Sequence, residues 1–207
     1  MTPNDDFGDD NTDTVFRDVI LLTLVGFVAM VIMLLPHIQK KKEETEDHKA
    51  PGNVIVEMHW PSDIHVDVDL WVKAPKATPV GFWNLGNDIF NLLRDDLGIE
   101  GDATDENYEI SYSRGIRPGE YIVNVHMYGI VPAGLVVPVT VVVSVRQKYD
   151  SARQILKTTV KLRERNQEET AFRFRLTDEG DLVKGSVSTL RRPLVTDFRN
   201  RLNREIK

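Results

Sequence analysis

The sequence predicts a single transmembrane α-helix followed by an all-β soluble domain, an antiparallel β-sandwich of jelly-roll-like kind. Three observations predict it. Residues 19–36 (VILLTLVGFVAMVIMLLP) carry no charged side chain, and an apolar helix of ~20 residues spans the hydrocarbon core of a bilayer. From residue 53 onward the apolar pattern changes to period two, the alternation of strands with one buried face. These runs are short, recur every ~10 residues and are separated by Gly, Pro, Asn and Asp, which is the spacing of a sandwich or barrel.

The N-terminal arm, residues 1–13, mixes aspartates with Gly and Asn and is expected to be disordered. No Lys or Arg precedes Arg17, and no small-x-small cleavage site follows the apolar run. The segment therefore does not read as a signal peptide, and residues 14–38 are expected to stay as a membrane helix. Residues 39–52 (QKKKEETEDHKAPG) form a charged linker closed by Pro51-Gly52.

The β-sandwich domain covers residues 53–190. Residues 54–60 read as a strand and residues 64–72 as a cleaner one. Ile64, Val66, Val68, Leu70 and Val72 share one face; His65, Asp67, Asp69 and Trp71 share the other. Pro61-Ser62-Asp63 supplies turn chemistry, so the two runs are expected to pair as a hairpin. Residues 81–102 are rich in Gly, Asn and Asp and read as irregular or short strands. Residues 108–113 form a strand. After a Pro118-Gly119 turn another follows, with Tyr121, Val123, Val125 and Met127 on one face. Residues 136–147, 152–162 and 169–177 complete the set, with a turn at 177–181. The basic tail, 191–207, carries Arg191, Arg192, Arg199, Arg201, Arg204 and Lys207. It reads as a short helix or disordered end, or as a binding patch.

Composition removes several classes of function. Of 207 residues none is cysteine, which excludes disulfides and thiolate metal sites. The formal net charge of −6 gives no global basic field for nucleic acid. His59, His65 and His126 fall on strands with no nucleophile nearby, and Ser111, Ser113 and Ser144 have no elbow motif. The chain is not expected to be an enzyme. Trp60, Trp71, Phe82 and Trp83 are either core residues or an exposed platform for sugars or peptides.

Asp18 is the residue that a plain anchor does not need. A carboxylate at the first turn of an apolar span is expensive unless it has a partner or a wet path. Held in a dry helix interface, its pKa rises by desolvation; moved to a wet site, it ionises again. Alternation between those surroundings makes proton flow conditional on motion. Thr14 lies one helical turn before the acid. Leu21, Leu22, Val25 and Ala29 follow on nearly the same side, and Gly26 and Ala29 permit close helix approach. Arg17 lies ~100° round the helix and either snorkels to lipid phosphate or pairs with Asp18. The alternative is a surface acid that ends the acidic arm, with Arg17 as its salt-bridge mate.

The run Thr14-Val15-Phe16-Arg17-Asp18-Val19-Ile20-Leu21 resembles the start of the single span in the ExbD/TolR biopolymer-transport family. Thr14, Phe16, Asp18, Val19 and Leu21 match that pattern in place. Val15 stands where the usual Pro would be, and Arg17 where an apolar residue would be. The resemblance implies a subunit of a proton-motive-force-driven inner-membrane motor, a homodimer inside a ring of an ExbB/TolQ/MotA-like polytopic protein. Asp18 would carry the proton, supported by Thr14 and Arg17. The N-terminus would be cytoplasmic and the C-terminal domain periplasmic. The positive-inside rule points the other way through Lys40, Lys41 and Lys42, although Glu43, Glu44, Glu46 and Asp47 dilute that cluster.

The soluble domain lacks the small αβ pattern of that family. Residues 66–75, 94–98 and 117–129 resemble bacterial pre-peptidase C-terminal modules, through Asp67-x-Asp69-Leu70-x-Val72 and Pro118-Gly119-x-Tyr121-x-Val123-x-Val125. That resemblance implies an accessory or binding module. It leaves a second function open, a membrane-anchored extracytoplasmic binding module with no ion-conducting role. No cofactor is expected apart from Ca²⁺. Asp67 and Asp69 on a strand, with Asp95, Asp96 and Asp102 in the loop region, offer the hard oxygen ligands calcium takes; the alternative is a solvated acidic face.

Overall fold

The computed structural model describes residues 10–34, 52–98, 106–147 and 150–205. The chain divides into two compact units, Met1–Lys49 and Ala50–Lys207.

In the first unit a helix, α1, runs Asp10–Leu34. It begins four residues before the expected start, so the acidic arm is helical from Asp10 onward. Val15–Met33 is long and apolar enough to cross a membrane, and Arg17 and Asp18 are its only charged residues. Every side chain from 15 to 33 is exposed. The apolar side chains lie on all sides of the helix, unlike the single apolar stripe of an amphipathic surface helix. The remainder of the arm and almost all of the charged linker lie outside the described residues.

The second unit is a two-sheet antiparallel sandwich. Its strands are β1 (Val54–His59), β2 (Val68–Lys73), β3 (Phe90–Arg94), β4 (Tyr108–Ser113), β5 (Gly119–Met127), β6 (Val137–Val145), β7 (Arg153–Leu162) and β8 (Glu168–Leu176). One sheet has the order β3-β4-β1-β6-β7 and the other β2-β5-β8. The core lies between them. β6 shows the cause most simply: Val137, Val139, Val141, Val143 and Val145 are buried while the residues between them are half-exposed, and branched side chains suit a pleated, packed face. They share one apolar cluster with Val54, Val56 and Met58 of β1, with Tyr121, Val123, Val125 and Met127 of β5, and with Phe174 of β8.

Two strand expectations change. Residues 54–60 and 64–72 do not form a hairpin: β1 pairs with β4 and β6, whereas β2 pairs with β5. The Pro61-Ser62-Asp63 turn carries the chain from one sheet to the other. The second run also starts late, at Val68, because Val66 N–H bonds back to the Ile64 carbonyl at 3.0 Å instead of joining a ladder.

The second sheet is buried on both faces. A C-terminal helix, α2 (Val195–Glu205), lies on its outer side. Leu194, Val195 and Phe198 pack onto Trp71 and Ile122, with Phe82 at the margin. The basic tail is therefore helical over Val195–Glu205, and Val195 and Phe198 of that helix are part of the fold. Trp60 and Trp71 are core residues, and of the four aromatics considered as a platform only Trp83 is exposed.

Candidate functional site

The residues singled out from the sequence fall in two places. On α1, Asp18 is exposed and lies three residues inside the apolar stretch Val15–Met33. Thr14 lies one turn earlier on the same helix. Arg17 is exposed as well, and among the described residues no ion pair joins it to Asp18. Thr23 returns its hydroxyl to the Val19 carbonyl at 2.8 Å, so that polar group is satisfied within the helix. Asp18 has no such partner among the described residues.

The second place is the edge where the sheets meet. Glu109 projects from β4 and is fully buried. It crosses to β2, the edge strand of the other sheet, where its Oε2 accepts the Leu70 N–H at 2.7 Å. Its Oε1 accepts the Asp96 N–H at 3.2 Å. An edge strand leaves backbone donors unpaired, and a buried donor must find an acceptor; Glu109 is that acceptor. Carboxylate oxygens of Asp69, Asp95 and Glu109 converge to within 4.8 Å of one another. Asp69 is 3 % exposed, whereas Asp95 is open to solvent.

Asp96 does something else. Its Oδ2 accepts from Arg94 at 2.8 Å and from Tyr108 N–H at 3.2 Å, and its Oδ1 accepts from Gly98 N–H at 3.0 Å. It staples the segment after β3 to the start of β4. Gly98 completes that segment with φ +59°, and a Cβ there would meet the Val66 carbonyl oxygen at 2.1 Å. Only glycine fits. Asp102 lies outside the described residues. Asp67 precedes β2, with its Oδ1 buried and without a hydrogen-bond partner.

Behind Asp69 a polar row crosses the second sheet. Asp69, His126 and Glu168 are register partners on β2, β5 and β8, and all three are buried. His126 Nδ1 lies 2.8 Å from Asp69 Oδ2. Glu168 Oε1 accepts from Leu194 N–H at 2.6 Å, Val195 N–H at 3.1 Å and Asn124 Nδ2 at 2.7 Å. It caps α2 from a neighbouring strand, in the role a serine or aspartate usually plays from within the chain.

Burial and mutual repulsion push the carboxyls of this edge above the usual carboxylate range. The Asp67 carboxyl is pushed up to about 7, first by burial and then by Asp69 and Asp95. Burial also raises Asp69, against the hydrogen bond from His126, and raises Glu109 strongly. Among the described residues the basic side chains paired with these acids are His126 on Asp69 and Arg94 on Asp96. A carboxyl raised in the folded state keeps a proton that the unfolded chain has lost, so its contribution to stability falls as pH rises through that interval. In chelator, the β unit is therefore expected to melt at lower temperature at pH 7.5 than at pH 5. A melting temperature that climbs over that range contradicts the assignment.

Glu109 and Glu168 were not legible as site residues. Glu109 occupies the polar side of YEISYS, where Ser111 and Ser113 are also buried, so alternation alone assigns that side to solvent. No family model, no curated protein and no solved structure matches this chain.

Proposed function

We propose that this chain is the single-span subunit of a proton-motive-force-driven motor of the bacterial inner membrane, built on the ExbB/ExbD plan. The observation that carries this reading is Asp18: an ionisable group inside an apolar helix whose whole surface is uncovered. In lipid alone such a group is costly. Inside a sheath of polytopic helices it gains a dry face and a wet face, and protonation then follows position. A second copy of α1 packs through Gly26 and Ala29, and the pair stands within the partner ring. Thr14, one turn before the acid, and Arg17 beside it are the supporting residues of this reading. The N-terminus is cytoplasmic and the sandwich periplasmic, where it takes up the work.

A second reading is supported by the buried carboxylates of the sandwich. A tethered binding module needs that edge but needs no acid in its span. The two part company at Asp18, and carbodiimide labelling of that carboxyl in native membranes tests the motor reading.

A further inference from the structure

The acidic edge of the sandwich has its own chemistry, independent of what α1 does. Three carboxylate oxygens lie within 4.8 Å of one another, and two of the side chains that bear them, Asp69 and Glu109, are buried. Like charges so close in a low dielectric are relieved either by protons or by a cation. Counting Asp67 and Asp96, five acids gather here; among the described residues their basic partners are Arg94, on Asp96, and His126, on Asp69.

The state of individual oxygens decides between those reliefs. Both oxygens of Glu109 accept a backbone N–H, which fixes the carboxylate in place. Asp69 gives Oδ2 to His126. Its Oδ1 has no hydrogen-bond partner among the described residues, on a side chain only 4 % exposed. Asp67 Oδ1 is buried and without a hydrogen-bond partner. A buried acceptor without a donor is costly, and a cation is a partner that it and Asp69 Oδ1 can share.

We propose that Asp69, Asp95 and Glu109 form a binding site for a hard divalent cation of the calcium class, which ties β2 of one sheet to the β3–β4 segment of the other. The donors are all oxygen, the set that calcium or magnesium takes and zinc does not favour. His126 stands behind Asp69 and orients it, as an outer partner orients a metal ligand. Exposed Asp95 leaves the side open through which the ion and its waters arrive. The frame exists before the ion does. Asp96 and Gly98 hold the segment bearing Asp95 against Val66, so little ordering remains to oppose binding.

The test uses the full chain in detergent micelles, stripped with chelator. All three tryptophans lie in the β unit, so their fluorescence reports its melting and not that of α1. Calcium chloride at about 5 mM is expected to raise the melting temperature by about 5 °C or more. Magnesium chloride is expected to raise it less. Asp95→Asn removes a ligand at an exposed position; it is expected to melt at or above the stripped wild type and to lose the calcium shift. Asp18→Asn is expected to keep the shift, which separates this site from the motor reading. The absence of a shift in wild type overturns the proposal, as does an equal shift in Asp95→Asn. A magnesium shift as large as that of calcium overturns the calcium-class assignment.

Discussion

On the motor reading, Asp18→Asn is expected to abolish proton-driven activity while leaving the protein inserted and associated with its proposed polytopic partner. Asparagine keeps the size and polarity of aspartate but cannot take up or release a proton at any accessible pH. The apolar length of Val15–Met33 is unchanged, so insertion is preserved. Proton flux into vesicles carrying both proteins is expected to fall to background. Asp18→Glu, which keeps the carboxyl one methylene further out, is expected to retain partial flux. A fully active Asn variant leaves only the tethered-module reading standing. Loss of the complex in that variant assigns Asp18 to assembly instead of proton transfer.

Glu168→Ala has the largest expected effect on the sandwich. One oxygen, Oε1, receives three donors: the Leu194 and Val195 amides and the Asn124 side chain. Alanine leaves them without an acceptor at the buried start of α2. Losing a cap costs ~1 kcal/mol, and leaving buried donors unpaired costs ~1–3 kcal/mol more. Together about 3 kcal/mol is expected, or a fall of about 10 °C in melting temperature for a unit of this size. The loss is local first. Leu194, Val195 and Phe198 would lift from Trp71 and Ile122, so limited proteolysis should cut within α2 and tryptophan emission should shift to the red. Glu168→Gln retains an oxygen acceptor and is expected to lose less than half as much. If Glu168→Ala melts as wild type does and α2 stays protected, the carboxylate is not what seats the helix.

The strands were legible where one face meets solvent and the other meets the core. The five alternate valines of β6 are such a case; their period needs no tertiary information. The second sheet was harder. Asp69, Asn124 and His126 occupy the polar side of β2 and β5, which alternation assigns to water, yet α2 and the residues before it bury that side. Only the docking of a helix far along the chain shows this. The misread hairpin has a similar origin. A turn motif fixes that the chain reverses, but whether the next run pairs beside the last or crosses to the facing sheet depends on partners such as β4 and β5. For the site, Asp69 and Asp95 were legible as acids in a strand and a loop. Glu109 was not, because its function depends on reaching an unpaired amide on another sheet.

The most direct measurement is carbodiimide labelling of intact native membranes near neutral pH, followed by mass spectrometry of the α1 peptide. A hydrophobic carbodiimide reacts with a protonated carboxyl in an apolar setting and spares one that is ionised in water. Labelling at Asp18, raised at lower pH and lost when the polytopic partner is removed, is the result the motor account expects. An Asp18 that stays unmodified, or is modified equally without any partner, contradicts it.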